Sequence, residues 1–156
     1  RCYQNGIVLD PVQPIGHNNL GIALHDAGRL QEAEQAYRQA TGLNPNYTKA
    51  RNNYGLLLLD LGRPHEAIEQ FERALQIEPT LFEAHSNLGN ALERIGNVPA
   101  AESAYRRALS LKPEAVEVLN NLASLLMLRG WFINKFFKPH HFPPNVPKWI
   151  YFRKTK

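Results

Sequence analysis

Gly21, Gly55 and Gly89 stand 34 residues apart, and the same neighbours recur around each. Leu20, Tyr54 and Leu88 precede them, and Leu24, Leu58 and Leu92 follow three residues later. Further along each period come Gly28, Gly62, Gly96 and Gly130, then Ala33, Ala67 and Ala101. Tyr37, Phe71 and Tyr105 follow, then Ala40, Ala74 and Ala108, and Pro45, Pro79 and Pro113 close the units. A strict period of this length constrains the chain more than any single motif. Each unit is too short to bury its own apolar face, so the units must stack on one another.

Within a unit, apolar residues recur three and four apart, which marks one face of a helix. The glycine ending the first helix permits positive φ and reverses the chain. Pro64 and Pro99 fall in the first turn of the second helix, where a missing N–H costs nothing. The closing proline cannot continue a helix. Helices are predicted at about 15–27, 30–43, 48–61, 64–77, 82–95, 98–111 and 116–129. The small residues Gly55 and Ala74 let helices approach, and Tyr37, Phe71 and Tyr105 fill the space between them.

The pattern L-G-x2-[YL] … A-x3-[FY] … P, met three times in register, resembles the tetratricopeptide repeat (TPR). The resemblance covers about residues 3–130. It implies an all-α fold, a TPR α-solenoid in which antiparallel helix pairs wind into a right-handed superhelix. Units are expected at 14–47, 48–81 and 82–115. Residues 1–13 look like the end of a truncated preceding repeat, since Tyr3 and Pro11 lie 34 residues before Tyr37 and Pro45. Residues 116–130 look like the first helix of an incomplete fourth unit, with Leu119, Leu122 and Leu126. The family's early tryptophan is replaced by His17, Arg51 and His85, which are expected to be partly packed rather than to act as ligands.

After Gly130 the periodicity stops. Lys135 and Pro139 stand where an alanine and an aromatic residue are due. Residues 131–156 are aromatic, basic and interrupted by Pro139, Pro143, Pro144 and Pro147, so at best 131–138 forms a short helix. This tail could be an end cap, a disordered segment, or foreign sequence joined by a frameshift or splice choice. The abrupt change in composition favours the last. The tail is then expected to carry no specific binding role, while its aromatics can still collapse on Leu119, Leu122 and Leu126.

The formal charge of +4 is uneven. Residues 1–130 carry 12 Lys/Arg and 14 Asp/Glu, whereas 131–156 carry six Lys/Arg and no acid. The repeat body therefore offers no electrostatic footprint for nucleic acid. Cys2 is the single cysteine, which excludes an intrachain disulfide and a paired-cysteine metal site and fits a cytoplasmic setting. No apolar run reaches the ~18 residues of a membrane helix. No phosphate loop, nucleophile–base pair or carboxylate pair stands out, so neither enzyme activity nor a cofactor nor a metal is expected.

The most informative polar residues are Asn19, Asn53, Asn87 and Asn121, again 34 apart. Asparagine competes for backbone hydrogen bonds and is a poor residue inside a helix, so its recurrence needs a reason. The TPR resemblance places this row on the first helices, which line the family's concave face. An amide both donates and accepts, so such a row can hold an extended peptide by its backbone. It is similar to the asparagine ladder in the TPR region of O-linked N-acetylglucosamine transferases. The competing reading is that the amides bond neighbouring helices. Further groove candidates are Asn18, Asn52, Asn90, Lys49 and Arg94, with Asp26, Asp60 and Glu83. The carboxylate clamp of chaperone-binding TPR domains needs Lys, Asn, Asn, Lys and Arg. The matching residues here are Asn18, Ile22, Asn53, Glu83 and Asn87, and Asn53 alone agrees.

Together these features point to a protein-interaction module that takes a peptide segment of a partner in its concave groove. The alternative is the substrate-recognition fragment of an O-linked N-acetylglucosamine transferase-like enzyme, without its catalytic domain. Neither nucleic acid nor membrane is expected as a partner. End-to-end self-association through exposed solenoid ends is a further expectation.

Overall fold

The computed structural model describes residues 13–136, and within them every regular element is a helix. The seven are α1 (Pro14–Asp26), α2 (Leu30–Leu43), α3 (Thr48–Asp60), α4 (Pro64–Ile77), α5 (Phe82–Arg94), α6 (Val98–Leu111) and α7 (Val116–Phe136). The first six form three pairs that repeat in step with the sequence period. The expected end of a preceding unit (1–13) and most of the 131–156 tail lie outside the described residues.

Each pair is closed by a glycine in the left-handed region: Gly28 at φ 73°, Gly62 at 72° and Gly96 at 76°. Side chains other than glycine rarely adopt this backbone, so these positions fix where the chain reverses. The residue after each glycine donates its N–H to Leu24, Leu58 or Leu92, which ties the turn to the first helix. Second helices then stop at Leu43, Ile77 and Leu111, two residues short of the closing prolines.

Helices within a pair pack through the recurring glycines. A Cβ added to Gly21 would lie 2.6 Å from Cε1 of Tyr37, and at Gly55 and Gly89 it would meet the rings of Phe71 and Tyr105. The ring of the second helix thus occupies the place a side chain would take. Ala33, Ala40, Ala67, Ala74, Ala101 and Ala108 are fully buried along the same contacts. Two core clusters result. One is centred on Tyr37, Tyr54, Leu57, Leu58 and Phe71, the other on Tyr105, Val118 and Leu125. Ile68 and Leu88 pack against both, so the core is continuous along the stack.

The positions of the family tryptophan do have a structural use. Arg51 donates from Nε to the Pro45 carbonyl at 2.7 Å, and Nε2 of His85 lies 2.9 Å from the Pro79 carbonyl. A polar side chain here binds back to the loop entering its own unit. His17 is buried, and His85 is half-buried.

The fourth unit departs from expectation. The repeat pattern has Gly130 turn the chain, with at most a short separate helix after it, yet α7 runs through it to Phe136. The physical reason lies in the residues beyond the glycine. A reversal at Gly130 is rewarded only if the next segment offers small and aromatic residues to pack back, and the sequence offers Lys135 and Pro139 instead. A glycine within a helix costs about 1 kcal/mol relative to alanine, which continued helix hydrogen bonding tolerates. The glycine at the close-contact register is also replaced, by the exposed Ala123. On α7, Val118 and Leu125 are buried and Leu122 packs against the core, whereas Leu119 and Met127 are 44% and 69% exposed. The apolar face left open is therefore Leu119, Leu126 and Met127, without Leu122.

Candidate functional site

The first helices α1, α3, α5 and α7 also contact one another from unit to unit, which makes theirs the inner side of the stack. Hydrogen bonds between residues 35 apart mark this seam. Asn53 donates to Asn18 at 3.0 Å, and Asn87 donates to Asn52 at 2.9 Å. At the C-terminal ends of the same helices His25 Nε2 lies 2.8 Å from Asp60, and Arg94 donates to the Leu59 carbonyl at 2.8 Å.

The asparagines thus divide into two roles. Asn18 and Asn52 are only 4% and 9% exposed, because they sit between helices as acceptors for the next unit. Both were expected among the peptide-binding residues of the concave face; their side-chain oxygens accept from the next unit and brace the groove. Asn19, Asn53, Asn87 and Asn121 are half-buried. Asn53 and Asn87 each spend one amide donor on the preceding unit and keep a second N–H and an oxygen acceptor, whereas the Asn121 amide also meets the Tyr105 hydroxyl.

The rule of 35 breaks once. The residue 35 before Asn121 is Ser86, whose hydroxyl is too short to replace the amide of Asn18 or Asn52. Asn121 donates instead to Asn90 Oδ1 at 3.0 Å. That same oxygen accepts from the Tyr105 hydroxyl at 2.7 Å, and Glu93 lies 2.8 Å from the hydroxyl. The shifted rung borders an open cleft of about 390 Å³ between α3, α5 and α7. Leu56 and Leu59 provide its apolar lining, and Asp60, Asn90, Glu93, Arg94 and Asn121 its polar lining.

Of the residues singled out from sequence, the structure brings Asn90, Arg94, Asn121 and Asp60 together at this cleft. Lys49 stays exposed at the opposite end of the first helices, and Glu83 there faces Lys112 at 3.5 Å. Leu56, Leu59, Glu93 and the Tyr105 hydroxyl were not found by sequence. The positions of Leu56, Leu59 and Glu93 hold a different residue in each unit, so a search for recurring identities passes over them, and Tyr105 was read there as a packing ring only.

On the outer side, Arg63 binds Glu34 of the preceding unit at 2.9 and 3.0 Å and Glu66 of its own helix at 2.6 Å. This holds the Glu66 carboxyl below the usual carboxylate range. Burial pushes the Tyr37, Tyr54 and Tyr105 phenols up, most strongly at Tyr37 and Tyr105. Among the described residues no cluster of His, Cys, Asp or Glu is arranged to hold a metal ion. Among them, too, no helix is long and apolar enough to cross a membrane.

Comparison with known proteins yields a consistent family. Models of the tetratricopeptide repeat match residues 1–48, 18–82 and 82–115. No curated protein matches by sequence. Among solved structures, MamA superposes with a TM-score of 0.76 at 20% identity, over 82% of this chain and 75% of that one. The first TPR domain of human RPAP3 superposes with a TM-score of 0.75 at 20% identity, over 81% and 99%. The first TPR of Spaghetti (RPAP3), bound to the HSP90 peptide SRMEEVD, gives 0.74 at 20% identity, over 75% and 93%. The three matched stretches, the left-handed glycines and the stacked helix pairs agree. This chain belongs to the tetratricopeptide repeat family.

Proposed function

We propose that this chain is a protein-interaction module that holds an extended segment of a partner protein along the inner face of α1, α3, α5 and α7. The observation that carries this is the row Asn19, Asn53, Asn87 and Asn121. Three of its members are oriented by a bond to the preceding unit, and the remaining amide groups of Asn53 and Asn87 are left for a ligand backbone. Orientation before binding removes part of the ordering cost of association. Recognition through backbone groups takes many sequences, so selectivity falls to the side chains of the cleft.

Structural neighbours of this fold hold chaperone peptides ending in EEVD. The ligand here is of another kind. Of the five clamp positions only Asn53 carries the required residue, and Glu83 opposes a carboxylate. The module acts as a binding surface in the cytoplasm, without catalysis, and does not engage nucleic acid. A second reading is favoured by the four in-register asparagines alone: a substrate-selecting array of an O-linked N-acetylglucosamine transferase-like enzyme. A glycosyltransferase domain encoded beside these repeats in the gene would decide for it. End-to-end self-association is checked by light scattering across a concentration series.

The groove reading is tested with a segment selected from a displayed peptide library. Asn53→Ala together with Asn87→Ala should weaken binding by about 1 kcal/mol for each neutral hydrogen bond lost. The helical signal should be preserved and the melting temperature should drop modestly, because each variant also removes one inter-unit bond. Unchanged affinity would leave these amides a purely structural role.

A further inference from the structure

Three features of the described structure bear on residues 137–156. First, acidic side chains gather at one edge of the groove. Asp26 and Asp60 are the last residues of α1 and α3, and Glu93 is the penultimate residue of α5. Arg94, at the same level, donates to the Leu59 carbonyl, while Asp60 meets His25 through one oxygen and Glu93 accepts from the Tyr105 hydroxyl through one oxygen, so each carboxylate has a second oxygen for a further donor. Second, α7 occupies the place of a first helix in the fourth unit and runs past the level where α1, α3 and α5 end, to Phe136. Third, the cleft beside Asp60 and Glu93 pairs an apolar lining with a polar one and is open.

The chain beyond α7 complements this edge. Residues 137–156 contain five Lys/Arg and no Asp/Glu, with Phe142, Trp149, Tyr151 and Phe152 among them. Four prolines between 139 and 147 oppose helix formation and favour an extended backbone, the form that an amide row holds. The reach suffices. Asn121, in the cleft, lies 15 residues before Phe136, a return of roughly 22 Å at the helical rise. An extended chain covers that distance in about seven residues.

We propose that segment 137–156 docks in this chain's own groove, with a lysine or arginine between Asp60 and Glu93 and an aromatic ring against Leu56 and Leu59. The segment then competes with a partner for the inner face, so the module is self-masked until it is displaced. This rests on the groove reading above. It also differs from the expectation that the tail has no specific role. The sequence placed the basic residues but could not show that acids and an open cleft lie within the tail's reach.

The test uses the full chain. With Trp131→Phe, Trp149 becomes the single indole. Its emission should be blue-shifted and shielded from acrylamide at low salt, independently of protein concentration. The shielding should be lost at high salt, and lost at low salt in Asp60→Asn with Glu93→Gln. Reversing the charge at Lys148 and Arg153 to Glu should abolish it, and adding Asp60→Lys should restore part of it. An exposed Trp149 at low salt overturns the proposal. So does shielding that survives the Asp60 and Glu93 changes but disappears in Leu119→Asp with Leu126→Asp, which would place the segment on the outer face of α7. Shielding that grows with concentration also overturns it, in favour of docking on a second copy. The library-selected segment and the Asn53 and Asn87 variants judge the groove itself. Trp149 exposed while that segment binds through the asparagines overturns the self-docking and leaves the groove reading standing.

Discussion

At the scale of single residues, the meaning of a glycine depends on what stands where its side chain would be. The Cβ of an alanine at position 55 would overlap the Phe71 ring, held between two helices. Gly55→Ala should therefore destabilise the protein by roughly 1–3 kcal/mol through overpacking. Gly42, near the end of α2, is exposed with nothing within 4 Å of the same point. Gly42→Ala should stabilise by about 0.5–1 kcal/mol, because alanine is the better helix former. Chemical denaturation of both variants checks the pair, and shifts of the same sign would contradict this packing. The asparagines follow similar logic. Asn18 and Asn52 share a residue type with Asn53 and Asn87, yet they end buried, because each accepts from the next unit.

At the scale of helices, the three units solve the start of the second helix differently. Arg29 and Arg63 pair with Glu32 and Glu66 in the first turn, whereas Asn97 accepts from the Ala100 N–H through its side chain. Arg63 does more than Arg29, since it also reaches Glu34 across the boundary between units. Arg63→Gln should lower stability by up to about 1 kcal/mol, and Arg29→Gln by less, since exposed ion pairs contribute little. The pH dependence has a definite sign. The Glu66 carboxyl is held below its ordinary value, first by its hydrogen bond to Arg63. Its contribution is present above the ordinary carboxylate value and is lost as pH falls through the depressed one. Thermal melts on the acid side should thus separate wild type from Arg63→Gln less than melts at neutral pH. An equal gap at both would show that Glu66 is not the partner that matters.

For the whole molecule, the described stack has few polar groups buried without a bond and a core built around tyrosines. Tyr37 and Tyr54 stack at 6.3 Å between ring centres, joining the first two units. Burial raises the phenol values of Tyr37, Tyr54 and Tyr105. A raised value for a group that is neutral when protonated means that its contribution is whole below the ordinary phenol value of about 10 and declines above it. An alkaline titration should show these three phenolates appearing together with loss of the helical signal. Smooth ionisation of every tyrosine near the ordinary value, with helix intact, would contradict the core described here. Among the described residues, α7 leaves Val116, Leu119, Leu126, Met127 and Leu128 exposed. An unpaired apolar face is expected wherever repeat packing stops short of a complete unit.

The helices of the first three units and their turns follow from the amino-acid order alone. A 34-residue rule combines three local signals: helical apolar spacing, glycines that permit positive φ, and prolines that end helices. Such signals act within a few residues, so Leu30–Leu43, Pro64–Ile77 and Val98–Leu111 were legible to the residue. How residues 35 apart meet is set by packing between units. Asn18 and Asn52 go inside, Asn121 moves to Asn90 because Ser86 is too short, and Leu56, Leu59 and Glu93 line a cleft with Asp60. The continuation of α7 through Gly130 belongs here as well, since a glycine turns a chain only when something downstream packs back. Groove and chain end are set by contacts between units, and the repeat pattern records only what the units have in common.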